Sequence, residues 1–278
     1  EILDYFGAQR DLHDKAIRVL HNLSFVEDPT RILRAIRFEQ RLDFALGMQT
    51  RQLLASAVQM GFLERVSPLR LFNELQIILS ETYPLDALVR LDELDILKEI
   101  STHLRLNATA REQCERASKV VNWFELLYTG EEFAPWVVYF LCLSGDLSEP
   151  DMESLCQRLH VPQRWDKILI TELPQARTAF HTLERESNAT AQRESWLARL
   201  LDGFSVEMLL YGMARTPHEH TRLRYSHYIT RIRGVKPILN GWDIQKLGCA
   251  PGPLVGEVLK GLRAARLDGK VENRSDEI

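Results

Sequence analysis

The chain has 278 residues, 45% of them hydrophobic and 27% charged, with a formal net charge of −4, long enough to bury one substantial apolar core or several small ones in series. No apolar run approaches the roughly 20 residues that span a bilayer, and Glu1-Ile2-Leu3-Asp4 has neither the basic start nor the apolar stretch of a signal peptide. The four cysteines are widely spaced, with no CxxC pair or Cys/His cluster, so a reduced, cytoplasmic protein without structural zinc is expected. The chain also lacks an initiator Met, which leaves open that it is part of something longer.

The opening residues read differently from the rest. Phe6-Gly7 makes a turn, and Ala16-Ile17-Arg18-Val19-Leu20 has the β-branched character of a short strand. After Asp28-Pro29 the pattern is helical almost to the end. Asp before Pro predicts a helix start, because the carboxylate accepts from free amides and Pro is preset for the first helical position. Ile32, Leu33, Ile36 and Leu42 then form an apolar face, with Arg31, Arg34, Arg37 and Arg41 on or near the opposite side. Ser67-Pro68 repeats the start signal for a helix in which Leu71, Leu75, Ile78 and Leu79 recur at the same period.

From about Leu85 to Phe204 come further amphipathic segments, separated by Gly130, Gly145, Pro150, Pro162 and Pro174. The polar stretch 185–193 marks a joint before the last part. The expected fold class is all-α, with a vestige of sheet at the amino terminus. Charge is unevenly spread. From Arg215 to Lys270 there are eleven basic and four acidic residues, whereas acids outnumber bases from Glu81 to His160, so the two regions are suited to different partners.

Chemistry concentrates first in Ser24-Phe25-Val26-Glu27-Asp28-Pro29-Thr30-Arg31-Ile32-Leu33-Arg34-Ala35-Ile36-Arg37-Phe38. Asp28 and Arg31, three apart at a helix start, project from one face. A carboxylate acceptor beside a guanidinium donor matches the pairing edge of cytosine or adenine, which offers an exocyclic amine next to a ring-nitrogen acceptor. Guanine and uracil present the opposite order. The same spacing also suits an Asp cap with an i,i+3 ion pair.

Near the other end, Gly248 and Gly252 allow close backbone approach, and Pro253 starts a helix whose free amides can face a phosphate. Before them, Arg222, Arg224, Arg231 and Arg233 surround Tyr225 and Tyr228, giving charge for phosphates and rings that can stack. The alternative is a Gly/Pro turn between ordinary helices with both tyrosines in the core. Asp92-Glu93-Leu94-Asp95 reads as a solvated helical face rather than a metal site, and His218, His220 and His227 lack partners at metal-ligand spacing.

Glu27-Asp28-x-x-Arg31 followed by Leu33-Arg34-Ala35-Ile36-Arg37-Phe38 resembles the neck motif of the class II tRNA nucleotidyltransferases, the CCA-adding and A-adding enzymes, and of bacterial poly(A) polymerases. Asp4-Tyr5-Phe6-Gly7-Ala8-Gln9-Arg10-Asp11-Leu12 with Ile17-Arg18 looks like the motif that hinges head to neck, with Ala8 in place of a second glycine. Ser67-Pro68-x-Arg70-x-x-x-Glu74-Leu75 is similar to the later neck helix. Gly241 to Gly256 and Leu267-Asp268-Gly269 look like the tail.

The resemblance implies an elongated chain: 1–23 the end of the head and hinge, 24–84 the neck, 85–190 a helical body, and 191–278 a tail holding tRNA. It implies that Asp28 and Arg31 select the base, supported by Arg18, Arg34, Arg70 and Glu74, with Asp11 at the hinge. Arg222, Arg224, Arg231, Arg233, Lys236, Lys246, Gly248, Gly252 and Gly256 then contact RNA.

The family's catalytic carboxylates belong to a head with Asp-x-Asp and Arg-Arg-Asp-Phe motifs, which do not occur here. The resemblance therefore implies that magnesium, and attack of the tRNA 3′ hydroxyl on ATP or CTP, belong to a longer enzyme, and that this chain alone is inactive. A poly(A) polymerase and a noncatalytic helical RNA-binding adaptor remain as alternatives.

Overall fold

A computed structural model describes residues 3–186 and 193–278 of the chain. The opening turn is made by Gly7, whose φ of 76° suits a residue without a Cβ. Ala8 needs no such freedom, because it begins helix α1 (Ala8–His13). The Asp4 carboxylate accepts from the amides of Ala8 at 2.8 Å and Gln9 at 2.9 Å, which ties the turn to the helix start. The expected strand shortens to β1 (Ala16–Ile17). It pairs in parallel with β2 (Ala45–Leu46), a partner that the helical reading after residue 28 did not anticipate.

Helix α2 (Ser24–Glu27) leads to α3 (Thr30–Arg41), followed by α4 (Met48–Gln59), α5 (Pro68–Leu79) and α6 (Pro84–Glu93). Ile32, Leu33 and Ile36 on α3 are fully buried, and α3 packs on both α5 and α6. Each such side chain stabilises the fold by about 1.5–3 kcal/mol relative to an exposed one. Leu42 departs from the expected face and is 44% exposed. It caps the carboxyl end of α3, where the chain turns through Asp43 at φ 52° toward β2 and leaves the helical stripe.

The acidic middle contains α7 (Ile96–Ile100), α8 (Ala108–Glu125), α9 (Pro135–Ser144) and α10 (Glu149–Leu159). Asp92 has a structural role, accepting from the Leu106 amide at 3.0 Å. Helix α9 is buried all round and packs on α8 and α5, with Trp136 edge-on to Phe72 at 5.4 Å. Pro174 does not separate helices as expected: a π-helical segment, Lys167–Glu172, runs directly into α11 (Leu173–Glu186). The wider π turn lies where the proline ring and its missing amide disturb the regular ladder.

The chain divides into two compact units, Glu1–Pro174 and Gln175–Ile278. Of the joint expected at 185–193, with a boundary at 190/191, residues 187–192 lie outside the described residues, while Arg185 and Glu186 continue α11. The second unit contains α12 (Glu194–Leu201), α13 (Val206–Arg215), α14 (Glu219–His227), α15 (Gly241–Lys246) and α16 (Pro253–Leu267). Its aromatic centre joins Phe180 to Tyr211 at 6.1 Å and to Tyr225 at 5.8 Å. Gly212 is required there, since a Cβ on it would stand 2.7 Å from the Phe180 ring and from the Tyr225 hydroxyl. Among the described residues no helix is long and apolar enough to cross a membrane.

Candidate nucleotide-binding and RNA-binding sites

The start of α3 is organised around the Asp28 carboxylate. Its Oδ1 accepts from the Thr30 amide at 3.1 Å and from the Thr30 hydroxyl at 2.6 Å. Arg70 Nη2, brought from α5, donates to both Asp28 oxygens at 2.9 Å and to Thr30 Oγ1 at 3.3 Å. Desolvation acts to raise the Asp28 pKa, but the bonds from Thr30 and Arg70 outweigh it and hold the group below the usual carboxylate range. Thr30 was missed in the sequence. The signal is a hydroxyl two residues after an Asp at a helix start, the local geometry of an Asx turn.

Arg31 is held differently. Its Nη1 donates to the Ser24 carbonyl at 3.2 Å and lies 3.7 Å from Glu27. The i,i+3 ion pair that its spacing allowed with Asp28 is thus replaced by the long-range pair from Arg70. Both side chains stay partly open, at 39% for Arg31 and 22% for Asp28. Glu74, also on α5, is half-buried, and its pKa is raised by desolvation against the opposing charges of Arg34, Arg37 and Arg70. Arg34 is exposed, while Arg37 and Arg41 share Glu81 at 3.4 and 3.5 Å. Asp28, Thr30, Arg70, Glu74 and Arg34 therefore form one cluster, while Arg31, on the same helix start, turns to Ser24 and Glu27.

Arg18 belongs to a second cluster. It donates to Asp11 and, at 2.9 Å, to Asp14, two carboxylates on or just after α1 that hold it firmly protonated. Asp14 was not singled out in the sequence, although it lies four residues before Arg18. Arg18 and Asp11 line one side of a cleft of about 440 Å³ that also contains Tyr5, Phe6, Met48 and Gln49.

In the second unit, Arg222 donates to the carbonyls of Thr216 at 3.3 Å and Pro217 at 2.9 Å at the start of α14. Arg231 and Lys236 are exposed, and Arg224 and Arg233 half-buried. Tyr225 and Tyr228 are 1% and 2% exposed, so these rings are core and not stacking surfaces. Tyr228 donates to Asp202 at 2.9 Å. Between α15 and α16 the chain turns through Gly248 at φ 101° and Gly252 at φ 153°, with open space where a Cβ would stand at either. Pro253 begins α16 as expected. Gly256 lies inside that helix and not in the turn. Lys246 places its Nζ 3.4 Å from the centroid of the Trp242 ring.

No family model matches the chain. It is 41% identical over 278 residues to an A-adding tRNA nucleotidyltransferase of Geobacter sulfurreducens, covering all of this chain and 32% of that one. Among solved structures, it is similar to a Thermotoga maritima CCA-adding enzyme complexed with tRNA, with a TM-score of 0.85 and 30% identity over 99% of this chain and 65% of that one. A CCA-adding enzyme complexed with ATP gives a TM-score of 0.84, again at 30% identity, over 99% and 64%. The chain thus spans about a third of its curated relative and just under two thirds of the solved ones. With sequence identity and fold agreeing along its whole length, the chain belongs to the tRNA nucleotidyltransferase family.

Proposed function

We propose that this chain is the nucleotide-selecting and RNA-holding part of a longer enzyme that adds C, A or both to the 3′ end of tRNA, using CTP and ATP. The observation that carries the reading is the Asp28 carboxylate, fixed by Thr30 and Arg70 beside a partly open Arg31 at the start of a basic helix. Thr30 and Arg70 set the orientation of Asp28, which leaves it an acceptor for the exocyclic amine of cytosine or adenine. Arg31 supplies the donor for the adjoining ring nitrogen. Guanine or uracil at the same place would meet donor with donor and acceptor with acceptor, which selects against them. Arg34 and Glu74 surround this pair with compensating charge, while Arg18, tied to Asp11 and Asp14, stiffens the hinge segment.

The basic part of the second unit, from Arg222 to Lys246 and the Gly248–Gly252 turn, holds the RNA backbone. Phosphate contacts of this kind position the RNA without reading its sequence. Among the described residues no three His, Cys, Asp or Glu side chains converge as a metal site. In this reading magnesium is held by the catalytic head of the longer enzyme. The reading also places the enzyme in the cytoplasm, in keeping with four unpaired cysteines.

The test uses the purified chain with labelled ATP and CTP and a tRNA transcript. No nucleotide is incorporated, yet tRNA binds, and the affinity falls with salt at a log–log slope of about −0.7 to −0.9 for each phosphate neutralised. Incorporation by the chain alone overturns the division between selecting and catalytic parts. Absent or salt-insensitive tRNA binding overturns the RNA-holding role.

A further inference from the structure

Burial of Tyr225 and Tyr228 leaves the RNA-holding region without the rings that its sequence offered for stacking. One other ring is available. Of the Phe, Tyr and Trp side chains among described residues 193–278, Trp242 alone is exposed, at 65%. It stands on α15, which turns Ile244 inward against Leu239 and Val255.

The backbone under Trp242 is firmly held. Asn240 accepts from the amides of Trp242 at 2.9 Å and Asp243 at 3.1 Å, and Asp243 returns a bond from the Asn240 amide at 3.0 Å. Arg274 then donates to Asp243 at 2.7 Å. This capping box makes the short helix a preorganised support, so placing the ring against a ligand costs little further ordering. Lys246, one turn on, puts its ammonium over the ring, and the ring keeps its exposure with that cation in place.

We propose that Trp242 is a stacking platform for a nucleobase of bound RNA, with Lys246 serving the adjoining phosphate. The proposal rests on the reading that this unit holds RNA, and it names the residue that adds a sequence-tolerant contact to the electrostatic ones. Every base presents a π-face, so a single exposed indole accepts any of them. Charge favours RNA over a protein segment as the occupant: eleven basic residues stand against four acidic ones from Arg215 to Lys270. The exposed Gly248–Gly252 turn follows directly, and its open space lets a backbone or sugar approach beside the ring.

The experiment uses the full chain and an unmodified tRNA transcript, with dissociation constants measured across a salt series and tryptophan emission followed during titration. Trp242→Ala raises Kd about 5- to 150-fold, Trp242→Phe restores most of the affinity, and neither changes the salt slope. Lys246→Met makes the slope shallower by about 0.7–0.9. Binding quenches indole emission in the wild type, and Trp242→Phe abolishes that quench. A Trp242→Ala chain with Kd within about twofold of wild type overturns the proposal, as does a quench that survives Trp242→Phe. If Trp242→Ala instead abolishes self-association in sedimentation while tRNA binding is unchanged, the ring serves a protein contact. Failure of the wild type to bind tRNA at all overturns the RNA-holding reading itself, a result distinct from failure of the platform alone.

Discussion

Asp28 and Arg31 carry unequal structural burdens, and that inequality separates base reading from helix bracing. Asp28→Ala removes the acceptor for the Thr30 amide and hydroxyl together with the partner of Arg70. A lost cap-type bond costs about 0.5–2 kcal/mol. The Arg70 pair, with that arginine 56% exposed, adds only about 0.2–1 kcal/mol after solvent screening. A loss of about 0.7–3 kcal/mol follows, which lowers the melting temperature of the first unit by roughly 1–12 °C. This contribution is complete above the ordinary carboxylate pKa and disappears as pH falls through the lowered Asp28 value.

Arg31→Ala removes one bond to a carbonyl and a long contact to an exposed Glu27, so its stability cost stays under about 1 kcal/mol. If both side chains read the base, each substitution nevertheless relaxes the preference for A and C over G and U by about 1–3 kcal/mol, or roughly 5- to 150-fold. The assay is steady-state incorporation of all four nucleotides by an enzyme that includes its catalytic domain, beside a melting curve for each variant. Unequal melting with equal loss of preference supports base reading. Unchanged preference at matched folded fraction refutes it and leaves Asp28 as a cap.

Replacing Arg231 and Arg233 with Ala weakens tRNA binding and makes the log–log salt slope shallower by up to about 1.8, with no change in which nucleotide is added; altered nucleotide preference at unaltered tRNA affinity contradicts the division between units. Glu74→Gln stabilises the first unit at neutral pH by less than about 1 kcal/mol, because the raised pKa means that ionised Glu74 opposes folding; the gain fades in urea melts as pH drops through its folded pKa toward about 4. Gly212→Ala destabilises the second unit by about 1–3 kcal/mol in thermal or denaturant melts, since the added methyl meets the Phe180 ring and the Tyr225 hydroxyl, on side chains that are each 1% exposed. Wild-type stability in that variant would show that the Phe180–Tyr225 packing yields easily.

Much of the helical framework was legible because its signals are local. Asp28-Pro29 and Ser67-Pro68 constrain the backbone at the helix starts, and Ile32, Leu33, Ile36, Leu71, Leu75, Ile78 and Leu79 repeat at the spacing of one buried face. The turn at Gly7 and the start of α16 at Pro253 follow from the same short-range sterics. The family motifs likewise lie in contiguous segments. Tertiary structure decided what those elements meet. Arg70 reaches Asp28 across forty-two positions, and β2 becomes a strand only because β1 lies beside it. Tyr225 and Tyr228 suit either core or surface in a sequence, because a tyrosine has an apolar body and a polar tip. Packing around Phe180 and the bond to Asp202 placed them inside and left Trp242 outside. Periodicity states that a face is buried, but the covering partner depends on how distant elements close upon one another.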